Sequence, residues 1–307
     1  MPAKFIVAVD LGGTNLKLAL IDSKYKIIDR CSLSTKKFRK KEDLISAIVN
    51  SVNNIIAGNS LVRKNILGVG LGLPGPVDIK RGIVHFLPNI PGWKEVNLEK
   101  ILKSRLKLPV FIDNDANLMC LAEQRLGAAK GLKNVVCLTL GTGVGGGIII
   151  EDRLYRGSNF AAGEIGHMPI NEKGPLCNCG GVACLEAYIG NVPILKEAKK
   201  MFGSGISLEG VSLLAKRGNK GAKKFWLIIA KRLAANIIGV VNLLNPDAIV
   251  IGGGVAEAGL VLFDRIKDIV KKQAMPVQAR AVKILRAKMG NNAGLIGAAL
   301  LVKGNLK

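Results

Sequence analysis

The sequence predicts an α/β protein built from two related halves that face each other, and three observations predict it. Its 307 residues correspond to two domains at roughly 150 residues each. Short apolar, β-branched runs alternate with longer segments of helical period. One motif, a strand followed by a tight glycine turn and a second strand, occurs once in each half.

Taken in order, Phe5–Asp10 is an apolar run that ends at Gly12-Gly13-Thr14 and is followed by a second run, Leu16–Ile21. A strand after the glycines makes this a hairpin rather than the strand-to-helix turn of a dinucleotide fingerprint, and neither glycine turn has the G-x-x-x-x-G-K-[ST] spacing of a P-loop. Leu44–Ile56 has helical period, Ile66–Leu73 and Val110–Asp113 read as strands, and Ala116–Leu126 reads as a helix. Val135–Leu140, the run Gly141-Thr142-Gly143-Val144-Gly145-Gly146-Gly147 and Ile148–Ile150 repeat the opening hairpin, with Leu140-Gly141 aligned on Leu11-Gly12. Val211–Ala215 and Phe225–Leu244 are predicted helices, and Ala248–Ile251 is a strand entering Gly252-Gly253-Gly254. Leu260–Lys272 and the terminal Asn291–Val302 are further helices. Crossings near Asp115 and Asn291 then give one domain of residues 1–115 with 291–307 and another of residues 116–290.

Hydrophobic residues make up 49% of the chain and charged residues 22%, which excludes a disordered polypeptide. The uncharged stretch Asn134–Ile150 is broken by five glycines and is shorter than the roughly 20 residues of a spanning helix, so it reads as core and no membrane is expected. Met1-Pro2-Ala3-Lys4 runs into Phe5–Val9 without a signal-peptide pattern, so a cytoplasmic protein is expected. Net charge is +23, with basic clusters at Lys24–Lys41 and Lys216–Arg232. These are either solvated helix faces or a patch for an anionic partner. Aromatic residues, only 4%, do not interleave with them, so nucleic acid is not the expected partner.

Glycine turns let successive backbone N–H groups converge on phosphate oxygens, and two of them, one per half, can hold a polyphosphate; each can equally just close its hairpin. Asp10, directly before the first turn, is a carboxylate suited to Mg²⁺ or its waters. The third cluster, Gly252-Gly253-Gly254, either admits a flat ring such as adenine or is a bare turn. Asp113-Asn114-Asp115 ends a strand and opens a helix, so one carboxylate can cap the helix while another projects from the strand end. An alcohol attacking a phosphoryl group must lose its proton, which makes Asp115 the candidate base and Asn114 a neighbour able to hold a hydroxyl. Downstream, His167, Cys177, Cys179 and Cys184 fall within 18 residues. One imidazole and three thiolates suit a tetrahedral, structural Zn²⁺, whereas Cys31, Cys120 and Cys137 read as plain thiols. Glu164 and Glu186 flank this loop and can bind sugar hydroxyls bidentately.

On these motifs the chain resembles the ROK (repressor, open reading frame, kinase) family of sugar kinases and sugar-responsive repressors, within the actin-like ATPase superfamily. Asp10-Leu11-Gly12-Gly13-Thr14 looks like its first phosphate motif and Leu140-Gly141-Thr142-Gly143 like its second. Glu164-Ile165-Gly166-His167 with Cys177-Asn178-Cys179-Gly180 and Cys184-Leu185-Glu186 is similar to its zinc loop. The resemblance implies two actin-like ATPase (ribonuclease H-like) domains with a cleft between them. It also implies a homodimer and transfer of the γ-phosphoryl of ATP·Mg²⁺ to the 6-hydroxyl of a hexose, glucose first among them. Asp115 would be the catalytic base, and Gly75, Asn89, Asn114, Asp115, Glu164, His167 and Glu186 would contact the sugar. Asp10, Gly12, Gly13, Thr14, Asn15, Lys17, Gly141, Thr142, Gly143, Gly253 and Gly254 would serve the nucleotide. N-acetylmannosamine, fructose, mannose and allose are alternative sugars, polyphosphate an alternative donor, and a non-catalytic sugar sensor an alternative role. The repressors resemble this core with a winged helix-turn-helix placed before it, and Asp10 follows only nine residues, which favours the kinase. Ala183 stands where many members have glycine and is expected to demand an ordinary backbone conformation, altering the zinc loop.

Overall fold

A computed structural model describes residues 4–87 and 90–306. The chain forms two compact units, Met1–Ala122 with Arg156–Ala162 and Asn291–Lys307, and Glu123–Tyr155 with Gly163–Gly290.

In the first unit β1 (Phe5–Leu11), β2 (Asn15–Asp22) and β3 (Ile27–Ser34) form an antiparallel meander. Next come α1 (Lys41–Gly58), β4 (Ile66–Leu73), the small hairpin of β5 (Val77–Asp78) and β6 (Ile83–Val84), α2 (Leu98–Leu106), β7 (Val110–Asn114) and α3 (Asp115–Arg125). The sheet order is β3-β2-β1-β4-β7, and β4 and β7 run parallel to β1 because helices carry the chain back between them. α1 buries Leu44, Ile48, Val52 and Ile55, an i, i+4 stripe that closes one face of this sheet. Parallel register sets Asp10 beside Gly72 and Gly72 beside Asp113. The carboxyl ends of three strands therefore lie at one edge.

The second unit repeats this plan with β8 (Val135–Leu140), β9 (Val144–Ile150) and β10 (Arg153–Tyr155) as the meander. The chain continues through α4 (Leu185–Ile189), α5 (Asn191–Phe202), α6 (Leu208–Lys216), α7 (Lys220–Leu244), β11 (Ala248–Gly252), α8 (Leu260–Gln273), α9 (Pro276–Ala281) and β12 (Lys283–Arg286). Its sheet order, β10-β9-β8-β11-β12, is that of the first unit. The duplication read from two hairpins thus extends to both whole sheets. α7 is long and apolar enough to cross a membrane by length and composition alone, but it buries Phe225, Trp226, Ile229, Leu233, Ile237 and Val241 in the core of its unit.

The chain then returns to the first unit as α10 (Ala293–Asn305), which packs on β1 and β4. Residues 116–122 also fall to this unit, as does Arg156–Ala162, although the sequence places both beyond the boundary at Asp115. α3 stays there because the backbone at Leu118 meets Gly297 of α10 too closely for any side chain to intervene.

Of the basic run Lys24–Lys41, expected on a helix face or in a patch, Arg30 lies on edge strand β3, Lys36 and Lys37 on the short turn of helix after it and Lys41 at the start of α1, the other basic residues falling in the turns between. β3 shows no alternation because Ile28–Ser32 are all exposed and the strand is held only through β2. The second run does occupy helices, with Lys216, Lys220, Lys223, Lys224 and Lys231 exposed on α6 and α7.

A methyl group at Gly297 would collide with the Leu118 carbonyl, whereas one at Gly304 meets nothing within 4 Å. Gly297→Ala is expected to destabilise the first unit by about 1–3 kcal/mol. Gly304→Ala should not, and urea unfolding of the two variants measures the difference.

Candidate active site

In the first unit Asp10 is held at the end of β1 with Lys17 as its cross-strand partner, Nζ lying 4.0 Å from Oδ2. Burial pushes the Asp10 carboxyl above its ordinary value, and the Lys17 charge opposes that rise. A cation at this point would relieve the same desolvation. Gly294, near the start of α10, leaves room for the carboxylate, since a Cβ there would sit 2.7–2.9 Å from its atoms. The adjoining turn is closed by the Gly12 N–H donating to Asn15 O at 2.9 Å. Thr35 ties it from behind, its N–H donating to Thr14 O and its hydroxyl to Gly13 O, both at 2.9 Å. Gly13 and Thr14 remain exposed, with Gly12, Asn15 and Lys17 half-buried beside them.

Gly72 in β4 separates Asp10 from the second acidic group. A Cβ on Gly72 would lie 3.7 Å from Asp10 Oδ1 and 3.6 Å from Asp115 Cα, so the two motifs, 105 positions apart in sequence, meet across a residue without a side chain.

The Asp113-Asn114-Asp115 turn corrects one expectation. A carboxylate was to cap α3, but the principal cap is the neutral Asn114, whose Oδ1 accepts from Ala116 N at 2.9 Å and Asn117 N at 3.2 Å. Its Nδ2 donates to Gly75 O at 3.1 Å, which brings the left-handed Gly75 (φ +83°) to the same place. Asp115 is the first residue of α3, and its Oδ1 accepts from Ala116 N at 2.8 Å. Asp113 is 1% exposed and pairs with Arg156, whose Nε and Nη2 donate to Oδ2 at 3.0 and 2.6 Å. The sequence reading missed Arg156. Its only signal was Asp113, a second acidic residue in a strand-end triplet that no local cation neutralises. Asn89 lies outside the described residues.

In the second unit the turn Gly141-Thr142-Gly143 is closed by Gly141 N–H to Gly143 O at 2.9 Å. Gly253 (φ +89°) packs so tightly on the Leu140 backbone that a Cβ would collide, which sets the third glycine cluster beside the second turn; Gly254 faces open space. Glu186, at the start of α4, accepts from Val144 N through Oε2 at 2.8 Å and thereby fastens the segment after Cys184 to that turn. Glu164 precedes a short helical turn, Ile165–His167, with Oε2 at 3.8 Å from His167 Nε2. Burial raises the Glu164 carboxyl, His167 works against the rise, and the Glu186 charge adds to it.

The other imidazole nitrogen faces sulfur. His167 Nδ1 is 3.6 Å from Cys177 Sγ, Cys179 Sγ is 3.7 Å from Cys184 Sγ, and all four ligand atoms lie within 4.8 Å of one another. A tetrahedron with Zn–S bonds of about 2.3 Å has edges of about 3.7 Å, so the group fits zinc. Burial and the neighbouring thiols push the Cys184 thiol up to about 12, a position where only an adjacent cation sustains the thiolate. Ala183 contradicts the expectation set for it, since it takes the left-handed conformation at φ +57°. That strain costs about 1–2 kcal/mol, and complete burial of the methyl group offsets about 0.8 kcal/mol of it.

The ROK family model matches residues 6–305. A glucokinase of Halalkalibacterium halodurans is 36% identical over 99% of this chain and 96% of its own length. The crystal structure of a ROK family glucokinase from Streptomyces griseus in complex with glucose and AMPPNP superposes with a TM-score of 0.83 at 32% identity, covering 98% of this chain and 99% of that one. A xylose repressor of Caldicellulosiruptor bescii is 28% identical over 97% of this chain and 77% of its own length.

Cys177→Ser is expected to lower metal content from about one zinc per chain and to depress the thermal midpoint, because metal-binding energy is folding energy. Cys31→Ser, at an exposed position on β3, should change neither; elemental analysis with calorimetric melting checks both.

Proposed function

Since the chain belongs to the ROK family over residues 6–305, we propose that this sugar phosphotransferase is a glucokinase, moving the γ-phosphoryl of ATP to the 6-hydroxyl of glucose. The observation that carries the reading is the meeting of Asp10 and Asp115 across Gly72 at the carboxyl ends of parallel strands. Phosphoryl transfer needs those two functions close together, a metal-side carboxylate and a proton acceptor.

Asp115 takes the proton of the 6-hydroxyl as the bond to phosphorus forms. Asp10 holds Mg²⁺ or its waters, and the ion supplies neutralisation of phosphate charge when bound. The N–H groups around Gly12, Gly13 and Thr14, with Asn15 and Lys17, serve the phosphates, as do Gly141, Thr142 and Gly143. Gly253 and Gly254 admit the adenine ring. Asn114 uses Oδ1 and one N–H to shape its turn, which leaves its second N–H for a sugar hydroxyl. Glu164, Glu186 and His167 Nε2 supply the other sugar contacts, with Gly75 bordering them and Asn89 assigned here by motif alone. Zn²⁺ on His167, Cys177, Cys179 and Cys184 fixes the loop that presents those groups and takes no part in the reaction. The protein is proposed to act in the cytoplasm as a homodimer.

The relatives that share nearly their whole length with this chain include glucokinases, which supports the kinase over the sugar-sensing alternative. Glucose is preferred to N-acetylmannosamine, mannose, fructose or allose because relatives at 32–36% identity are glucokinases, and ATP to polyphosphate because a structural relative binds glucose with AMPPNP.

Asp115→Asn is expected to leave glucose binding intact by calorimetry and to cut kcat by on the order of 10²–10⁴-fold. A variant that turns over near the wild-type rate would remove Asp115 from the role of base.

A further inference from the structure

Asp113 is the most buried member of the acidic turn, and every oxygen of its carboxylate is engaged. Oδ2 takes both the Nε and Nη2 donors of Arg156, while Oδ1 accepts from Asn114 N at 2.8 Å and Asn117 Nδ2 at 3.0 Å. With Nδ2 committed to Asp113, the buried Asn117 Oδ1 has no partner among the described residues. A polar network that tolerates an orphaned acceptor is not simply the most stable packing for this place, which points to a positional role.

Arg156 comes from a distant part of the chain. It follows β10 and begins the segment Arg156–Ala162, which packs with the first unit although the residues on either side belong to the second. That segment is a closed loop, with Ala162 N–H donating to Arg156 O at 3.0 Å, and Lys80 lies over the Phe160 ring at 5.6 Å. Gly163 follows at φ +96°, its Cα so near the β9 backbone that a Cβ would lie 2.6 Å from Gly146 O. Glu164 is the next residue.

We propose that Arg156 is a positioning residue for phosphoryl transfer, fixing the Asp113–Asp115 turn through its paired contact with Asp113. The proposal rests on the kinase reading above. Arg156 acts through Asp113 and touches no substrate. A guanidinium is required because two of its N–H groups aim together at one carboxylate oxygen, which the point charge of lysine does not reproduce.

The test is steady-state kinetics of the full chain with glucose and ATP, alongside thermal melting and calorimetric glucose binding, for wild type, Arg156→Lys, Arg156→Met and the double variant Arg156→Met/Asp113→Asn. Displacement of a base by about an ångström costs on the order of 10²-fold, so Arg156→Lys and Arg156→Met should lower kcat about 10–100-fold. Their glucose dissociation constants should stay within about threefold of wild type, since the loss is confined to the transition state. The double variant leaves no unpaired buried charge, so it should regain the melting temperature without regaining turnover, and it keeps the test valid if Arg156→Met does not fold. Wild-type turnover in Arg156→Lys or in the folded double variant would overturn the proposal. So would a loss of activity that only tracks loss of folded protein. A wild-type protein that phosphorylates no hexose would instead sink the kinase reading, and this proposal with it.

Discussion

Parallel pairing of β1, β4 and β7 is the constraint on which the first unit's chemistry depends. Antiparallel strands would place their carboxyl ends at opposite edges, whereas parallel ones deliver every such end to a single edge, where ligands of open α/β sheets bind. Here that edge receives Asp10, Gly72 and Asp113 in register. Because Gly72 has no side chain, the space between Asp10 and Asp115 stays open, and Gly294 keeps α10 from closing over Asp10. The second unit uses the same rule with different residues, since β8 and β11 end side by side at the Gly141–Gly143 turn and at Gly253.

The segment from Glu164 to Glu186 shows how a site of like charges is made tolerable. Burial lifts the Glu164 carboxyl above its ordinary value, and the Glu186 charge adds to the rise. Two features counter this. Glu186 accepts a backbone N–H from Val144, and His167 lies between Glu164 and the thiols, with Nε2 toward the carboxylate and Nδ1 toward Cys177. The imidazole thus links a metal position to a carboxylate, the arrangement that fixes ring orientation in metal sites. Ala183 shows the loop's geometry prevailing over a local backbone preference, with the strain partly offset by burial.

What was legible in the sequence was local. The two hairpins, the helical stripe of Leu44–Ile56 and the strand Val110–Asp113 each carry their own periodicity, and the His167, Cys177, Cys179 and Cys184 group lies within one short stretch. Strand β3 was not legible as a strand, because an exposed edge strand has no face to bury and Ile27–Ser34 shows no alternation of apolar and polar residues. Arg156 was not legible because its partner Asp113 lies 43 residues away and nothing near Arg156 signals burial. Neither was the cap on α3, where Asp and Asn are both good caps and only the hydrogen bonds of Asn114 decide between them.

The central claim is that Asp115, set opposite Asp10 by the strand register, is the proton acceptor for a sugar hydroxyl. A crystal structure of this protein with glucose and a non-hydrolysable ATP analogue tests it most directly. The account predicts an Asp115 carboxylate oxygen about 2.6–3.2 Å from the glucose 6-hydroxyl. A sugar bound with a different hydroxyl toward the γ-phosphate, or with Asp115 turned away from it, would contradict it.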